Sequence, residues 1–433
     1  MPTRHWAANN LAARLLAGPW TPEAIGTAID TVLGPQRARK DLITDLAALA
    51  GATYPPTPQA LTAHLLQSDH FKPHPGRPIP TVLDPPHFAP TKPFIGLPIP
   101  SLATPGDLAA WLGQSPEQLD WLAGERRHHG RATHPPLQHY HYTFASKRTG
   151  APRLIEAPKP RLKAIQRRIL REILSAVPTH PRTHGFVAGR SCLTGAQVHA
   201  GEAIVATFDL TQFFPSIALP RIHGLFRSLG YPWAVARRLA GLCTTMTPAG
   251  VFPDPHRPDH ALYRVPHLPQ GAPTSPALAN LLAWTLDRRL FGLARTVEAN
   301  YTRYADDLAF SGNEAFAARI DRFGRTVETI LYEEGFALNT AKTRIMRRGT
   351  RQRVTGIVVN EHCNVGRSEF DTLKAILHNC ARTGPAAQNR ANIPDFRTHL
   401  DGRITWVEQI NLHRGLKLRR LFDQIDWTKI PSA

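Results

Sequence analysis

Two adjacent aspartates, Asp306 and Asp307, follow Tyr304 and precede a short apolar run that ends in a Ser-Gly turn signal. This pattern predicts a β-hairpin with both acids at its turn. Adjacent like charges repel each other, and a bound divalent cation is the usual reason for holding both at one point. For an isolated pair of aspartates, a solvated acidic turn is the alternative.

A third acid, Asp209, lies near the end of a stretch that opens with the β-branched signature of a buried strand at Ile204 and Val205. A carboxylate on one strand and a pair of carboxylates at a neighbouring turn can converge on divalent metals. Oxygen ligands of this kind suit Mg²⁺, and two such ions about 3.5–4 Å apart support phosphoryl transfer. We therefore predict that Asp209 meets the Asp306–Asp307 turn in space and that the three acids hold two Mg²⁺ ions.

The charge of the chain indicates a polyanionic partner. The sequence has 433 residues, 42% of them hydrophobic, and a formal net charge of +19. This balance favours a folded protein with basic surfaces. An acidic membrane surface is the rival partner, but no stretch has the length of an apolar transmembrane span and no signal peptide is recognisable, so we expect no membrane association.

The cysteines point to a reducing compartment. They are scattered without the spacing of a zinc site or a disulfide framework: Cys192, Cys243, Cys363 and Cys380. We expect reduced thiols in a cytoplasmic protein. The histidine-rich loop at 124–136 also lacks metal-ligand geometry, and a solvated loop facing nucleic acid is the better interpretation.

The elements that must position the acids can be placed coarsely. Apolar residues recur at helical spacing over residues 1 to about 70, and a proline-rich stretch follows at 73–105. Residues 140–155 read as a hairpin with a basic tip. A rigid Leu-Pro-Gln-Gly loop at 268–271 precedes a predicted helix from Ala277 to Leu293.

Four motifs in order and spacing resemble the reverse transcriptase family. They are Phe208-Asp209 with Phe213-Phe214, Leu268-Pro269-Gln270-Gly271, Tyr304-Ala305-Asp306-Asp307, and Gly335-Phe336 with Lys342. Within that family the chain looks most like the bacterial retron enzymes. The elements that carry this closer likeness are Val354-Thr355-Gly356 and Gly195-Ala196-Gln197-Val198-His199, in which glycine stands where the retron family has asparagine.

The resemblance implies an α+β right-hand polymerase with fingers, palm and thumb, preceded by an N-terminal helical extension. The implied domains are the extension at 1–72, the proline-rich linker at 73–105, the fingers at 106–203, the palm at 204–346, and the primer grip with the thumb at 347–433.

The resemblance also assigns roles to residues. The catalytic acids would be Asp209, Asp306 and Asp307, and the carbonyl of Leu210 would complete the metal shell. The residues implied for deoxynucleotide binding are Lys147, Arg153, Leu210, Phe214, Gln270 and Lys342, with Phe214 as the gate against a 2′-hydroxyl and Lys342 as the proton donor to pyrophosphate. The residues implied for RNA or primer binding are His199, Val354, Thr355, Gly356, Arg414 and Lys417.

A purely structural or solvent-exposed role remains the alternative for several of these residues. Arg148 could exchange roles with Lys147, Phe214 could be a core residue, and the basic residues of the last helix could form a solvated face.

The implied activity is RNA-directed DNA polymerisation. A retron enzyme copies a structured non-coding RNA into a branched RNA–DNA molecule, commonly in antiphage defence with a separate effector protein. The alternatives are an intron-maturase or abortive-infection reverse transcriptase, a non-catalytic RNA-binding scaffold, and a palm-fold nucleotide cyclase.

Overall fold

The computed structural model describes residues 4–18, 20–34, 39–50, 58–73, 86–124, 137–146, 152–252 and 260–427. Two compact units divide the chain: Met1–Pro178 with Gln212–Leu282, and Thr179–Thr211 with Ala283–Ala433. We call them the first unit and the second unit.

Helices dominate the chain up to residue 211. The elements in order are α1 Arg4–Ala17, α2 Pro22–Leu33, α3 Arg39–Ala50, α4 Pro58–Gln67, α5 Pro105–Leu112, α6 Pro116–Ala123, β1 Tyr140–Ala145, β2 Arg153–Pro158, α7 Pro160–Glu172, α8 Cys192–Gln197 and β3 Ile204–Thr211.

Helices and short strands alternate in the rest of the chain. The elements in order are α9 Leu219–Ser228, α10 Trp233–Leu242, α11 His260–Tyr263, α12 Ser275–Leu282, α13 Trp284–Thr296, β4 Asn300–Tyr304, β5 Asp307–Gly312, α14 Glu314–Ala317, α15 Ile320–Glu333, β6 Ala337–Leu338, β7 Arg344–Arg347, β8 Arg353–Val354, β9 Ile357–Val358, α16 Arg367–Thr383, α17 Phe396–Ile410 and α18 Leu412–Phe422.

The N-terminal helices of the first unit share one core. Leu11, Ile29 and Leu46 are fully buried there, and Trp233 of α10 packs into the same cluster. The Thr21 side chain accepts a hydrogen bond from the amide of Ala24 and caps α2. The predicted helical character of this region is confirmed.

The first unit also contains the β1–β2 hairpin, which is antiparallel from Tyr140–Pro158 to Ala145–Arg153. Its basic tip, with Lys147 and Arg148, lies outside the described residues. Buried Glu156 on β2 accepts hydrogen bonds from Thr247 at 2.6 Å and lies 2.9 Å from the ring of His267. These contacts fix the hairpin to the loops before and after α11.

β3 is the central strand of the second unit. The antiparallel sheet has the order β4–β5–β3–β6, and β7 pairs with the first half of β3. Ile204, Val205, Ala206 and Phe208 are buried, which confirms the predicted buried strand. On one face, Phe208 packs on Phe310.

The opposite face of this sheet is covered by α8 and the β8–β9 hairpin. Val205 and Ala309 pack there with Ala196, Val354 and Ile357. The helices α16, α17 and α18 form a separate core around buried Leu377, Leu400 and Leu418. The mixture of helices with antiparallel sheet confirms the α+β class.

The predicted continuous helix from Ala277 to Leu293 is wrong. α12 ends at Leu282 and α13 begins at Trp284, with Ala283 between them at φ −85° and ψ 5°. Within the described residues, no helix combines the length and the apolar character that crossing a bilayer requires.

Candidate active site

The register of the central sheet brings the predicted acids together. Asp209 on β3 and Asp307 on β5 are direct cross-strand partners. Side chains at directly opposite positions share one face of a sheet, with Cβ atoms about 4.5–5.5 Å apart. Asp306 lies in the turn between β4 and β5, and its carbonyl accepts a hydrogen bond of 3.0 Å from the amide of Leu210. The three carboxylates therefore cluster at one end of the sheet.

Two polar residues hold the Asp209 carboxylate from the strand-β6 side. Lys342 donates to both carboxylate oxygens, at 2.9 and 3.0 Å, and the Asn339 amide donates at 3.1 Å. The backbone amide of Asn339 also donates to the carbonyl of Asp209 at 2.8 Å. Lys342 lies in the 3₁₀ turn Thr340–Lys342, directly after β6. Pairing of β6 with β3 thus delivers both residues to Asp209.

The pKa of Asp307 is affected by the carboxylates that lie close to it. Desolvation, followed by repulsion from Asp306 and Asp209, raises the pKa of Asp307 to about 6, while Lys342 opposes the rise. Asp307 is an exposed residue at the start of β5, so the desolvation is local to its carboxyl. An accumulation of negative charge favours cations at this point.

The donor set suits a hard divalent cation, because three carboxylates and the neighbouring backbone carbonyls are all oxygen ligands. Among the described residues, no three His, Cys, Asp or Glu side chains are placed to hold a metal ion together. The cation beside Asp209 is the Lys342 ammonium. Metal ligation by Asp209, Leu210, Asp306 and Asp307 therefore stays a prediction.

A buried ion pair supports the turn that carries Asp306. The guanidinium of Arg303 donates to both oxygens of Asp287, at 2.7 and 2.6 Å, and both side chains are fully buried. Thr183 and Tyr301 donate to the same carboxylate. Arg303 also donates to the carbonyl of Ala305 at 3.1 Å. Because Ala305 has a φ of 55°, this bond holds a left-handed residue immediately before Asp306.

A close backbone approach restrains the same turn from another side. A Cβ atom at Gly185 would lie 2.6 Å from the amide nitrogen of Ala305. The amide of neighbouring His184 donates to the carbonyl of Arg303 at 2.7 Å. Only glycine permits this contact at position 185.

The prediction that His199 contacts RNA directly is not supported by its position. The side chain is fully buried. Its Nδ1 atom lies 2.8 Å from the hydroxyl of Ser311, and its Nε2 atom lies 2.7 Å from the hydroxyl of Thr302. Burial lowers the pKa of His199 to about 3, so the ring is neutral. His199 instead joins Thr302 of β4 to Ser311 of β5.

The Val-Thr-Gly element forms the turn of the β8–β9 hairpin. Val354 is buried in the core with Val205 and Ala309, so its side chain is not available to a primer, contrary to the prediction for this residue. Thr355 and Gly356 have φ values of 48° and 91°, and the Thr355 hydroxyl donates to the carbonyl of Cys192 at 3.3 Å. The backbone of this turn is the part that can face a ligand.

The residues predicted to bind deoxynucleotides lie partly in the first unit. Arg153 is exposed at the start of β2, and Phe214 is half-buried, whereas neighbouring Phe213 is buried as expected. The carbonyl of Gln270 accepts a hydrogen bond of 2.8 Å from the amide of Glu156. The Leu-Pro-Gln-Gly loop is thus attached to β2. Lys147 lies outside the described residues.

The basic residues of α18 divide into two groups. Lys417 is exposed, and the Arg414 guanidinium lies 5.0 Å from the centre of the Phe370 ring. Arg419 is instead paired with Asp401 and Glu408, which fastens α18 to α17. Lys417 and the likewise exposed Arg420 are available to a nucleic acid, whereas Arg419 is not.

Several supporting residues could not be identified by motif. Asn339 had a weak signal, since it stands three positions before Lys342. Asp287 and Gly185 gave none, because their importance depends on contacts distant in sequence.

Known proteins resemble this chain over much of its length. A family model described as "Reverse transcriptase (RNA-dependent DNA polymerase)" matches residues 145–373. The Retron Mx65 reverse transcriptase of Myxococcus xanthus is 43% identical over 330 residues, which cover 74% of this chain and 72% of that protein. The Retron Mx162 reverse transcriptase of the same organism is 39% identical over 66% of this chain and 60% of that protein.

Similarity to a solved structure is weak. The foamy viral protease-reverse transcriptase in complex with double-stranded DNA is 14% identical, with a TM-score of 0.31, over 66% of this chain and 43% of that chain. A TM-score of this size carries no argument about the present fold.

Proposed function

The chain belongs to the reverse transcriptase family, and within it to the retron type, and is thus an RNA-directed DNA polymerase; we propose that Asp209, Asp306 and Asp307 perform its nucleotidyl transfer with two Mg²⁺ ions. The observation that supports this most directly is the cross-strand pairing of Asp209 with Asp307 beside the Asp306 turn. When bound, the ions would lower the pKa of the attacking hydroxyl and neutralise the leaving pyrophosphate.

The chain's own groups prepare this site. The sheet presents three carboxylates at one end of its strands, and the carbonyl of Leu210 adds an uncharged oxygen next to Asp209. We propose that Lys342, which donates to Asp209 in the structure, gives a proton to the departing pyrophosphate. In this proposal Lys342 binds the Asp209 carboxylate first and the pyrophosphate later.

Nucleotide selection is assigned to other residues. We propose that Arg153, with Lys147, binds the triphosphate, because the arginine fork matches phosphate oxygens. Gln270 would contact the sugar, and the half-buried Phe214 would exclude a 2′-hydroxyl. In the second unit, the turn at Thr355 and Gly356 would contact the primer end, and Arg414 and Lys417 the phosphates of the duplex.

The retron relationship and the charge of +19 support a nucleic acid partner. We propose a structured non-coding RNA as template and primer, a branched RNA–DNA molecule as product, and a role in antiphage defence with a separate effector protein. Sequencing nucleic acid that co-purifies with the protein tests this part. A linear product without a branch would contradict it.

The catalytic assignment is tested by deoxynucleotide incorporation on a primed RNA. We expect activity in the wild type and none in Asp306→Ala or Asp209→Ala, with RNA binding retained in both. Phe214→Ala is expected to incorporate ribonucleotides more readily. Equal incorporation by the wild type and Asp306→Ala would exclude the enzyme assignment and leave an RNA-binding scaffold.

A further inference from the structure

The segment from Gly335 to Asn360 is basic without any acidic residue. It contains Lys342 and five arginines but no Asp or Glu. The arginines are all exposed, and we call them the arginine edge: Arg344, Arg347, Arg348, Arg351 and Arg353. The neighbouring acids along the chain are Glu334, which is paired with Arg289, and Glu361.

The arginine edge begins beside the catalytic acids. β7 pairs with β3, with Arg344 opposite Thr207 and Arg347 opposite Ile204. Thr207 stands two residues before Asp209, so β7 runs away from the carboxylates. Because side chains of a strand alternate between faces, Arg344 lies on the face of Asp209 and Arg347 on the opposite face, and the arginines follow the rim of the sheet on both faces. Three residue steps of a strand span about 10 Å. The other side of β7 pairs with no strand of the described chain. β7 is therefore an edge strand, and its arginines lie along the edge of the sheet.

The charges of this edge are not neutralised by the protein. No arginine of the edge forms an ion pair with a carboxylate of the described residues. Three of the guanidinium groups donate instead to backbone carbonyls: Arg344 to Ala341 and Thr343, Arg348 to Gly201, and Arg353 to Gly356. These bonds orient the groups and leave their full positive charge available.

Some arginines of the second unit are used differently, since Arg289, Arg303 and Arg419 each pair with carboxylates. Exposed Arg322 and Arg325 of α15 form no ion pair with the described residues either, but their helix also carries acids. The arginine edge is distinguished by five exposed arginines close together in a segment without an acid. Such a group of guanidinium groups matches several phosphates.

We propose that the arginine edge binds the phosphate backbone of a folded RNA stem outside the template–primer region. This inference rests on the proposed function, since it takes the structured RNA as the partner. The contact would hold the RNA beside the site while the template strand moves, and it would contribute affinity and not chemistry.

A structural explanation competes with this proposal. Charged side chains on a margin strand also prevent strands of two molecules from pairing. That role needs charges on β7 itself, whereas Arg351 lies beyond the end of β7. It also predicts self-association of the variants and no change in RNA affinity.

The test uses the full-length chain and a blunt-ended RNA hairpin with no primer terminus, measured by fluorescence anisotropy without nucleotides. The side chains of Arg347 and Arg351 make no hydrogen bond to the described residues, so Arg347→Gln with Arg351→Gln is the cleanest variant. We expect about ten-fold weaker binding, with the slope of log affinity against log salt reduced by about 1 for each arginine removed. Replacement of both by lysine should restore most of the slope.

The matched control is Arg322→Gln with Arg325→Gln on α15, which removes two exposed arginines from a helix that also carries acids. It should bind the hairpin like the wild type. Wild-type affinity and salt slope in the Arg347/Arg351 variant, with or without self-association, would overturn the proposal. So would an equal loss in the control. These results are independent of catalysis, because Asp306→Ala should bind the hairpin normally even if incorporation assays contradicted the proposed function.

Discussion

Lys342 donates hydrogen bonds to both carboxylate oxygens of Asp209, at 2.9 and 3.0 Å. The side chain of Asp209 is largely buried, whereas that of Lys342 is 57% exposed. The lysine can therefore leave the carboxylate without disturbing the core. This freedom is needed if the same ammonium serves as an acid later in the reaction.

Replacement of Lys342 separates its charge from its acidity. In Lys342→Gln we expect kcat to fall about 10²–10⁴-fold, because a general acid is lost. We also expect half-maximal activity at a lower Mg²⁺ concentration, because the competing cation on Asp209 is gone. Lys342→Arg should keep the Mg²⁺ dependence of the wild type but lose rate, since arginine does not release its proton at neutral pH. A fully active arginine variant would contradict the acid role.

Removal of one partner from the Arg303–Asp287 pair should be costly. Asp287→Asn leaves a buried guanidinium without its counter-charge, and we expect the free energy of unfolding to fall by about 3–5 kcal/mol. The double variant Arg303→Met with Asp287→Leu should recover much of that stability.

Activity distinguishes support of the turn from simple stability. Because Arg303 also donates to the carbonyl of Ala305, the double variant should stay slow in single-nucleotide incorporation even where its melting temperature recovers. Recovery of both stability and rate would show that the pair does not position Asp306.

The close approach of Gly185 gives a sharper test of turn geometry. A methyl group there would lie 2.6 Å from the amide nitrogen of Ala305, so Gly185→Ala must displace the turn. A displacement of about 1 Å can cost about 10²-fold in rate, and we expect a loss of that order in kcat. Gly402→Ala on α17 is the control, since an added Cβ meets no atom within 4 Å. Equal rates in the two variants would refute this account.

Burial of neutral His199 predicts a dependence of stability on pH. Its pKa of about 3 lies below the ordinary value of 6.5, so the unfolded chain takes up a proton that the folded protein does not. Stability from this residue is present above pH 6.5 and is lost as pH falls, by about 1.4 kcal/mol per pH unit. Urea unfolding at pH 6.5 and pH 5 should show a smaller loss for His199→Gln than for the wild type. Exposed His413→Gln should behave like the wild type, and identical pH slopes in all three proteins would contradict the prediction.

The meeting of Asp209 with the Asp306–Asp307 turn was predictable because each part has a local sequence pattern. A β-branched strand that carries an acid, and a turn with two more, each leave a pattern in a few consecutive residues, and the antiparallel register of Asp209 with Asp307 joins them. Helical periodicity likewise placed the N-terminal core around Ile25 and Ile29.

Residues whose function depends on distant contacts were not predictable. The pattern Gly195 to His199 does not show whether the histidine faces RNA or the hydroxyls of Ser311 and Thr302. The break of the predicted helix at Ala283 has no glycine or proline to mark it, and the partner of Arg303 lies on another element. In each case a tertiary contact determines the residue's surroundings or the end of the helix, and such contacts leave no local sequence pattern.

The position of β3 in the chain has a consequence for synthesis. Its partners β5, β6 and β7 all follow about a hundred residues or more later. At ribosomal rates of about 5–20 residues per second, the nascent strand waits on the order of 5–20 s with its apolar side chains unpaired. Chaperones that shield exposed strands should therefore raise the yield of active enzyme, and any nascent chain released before residue 347 lacks a margin of the sheet on which Asp209 lies.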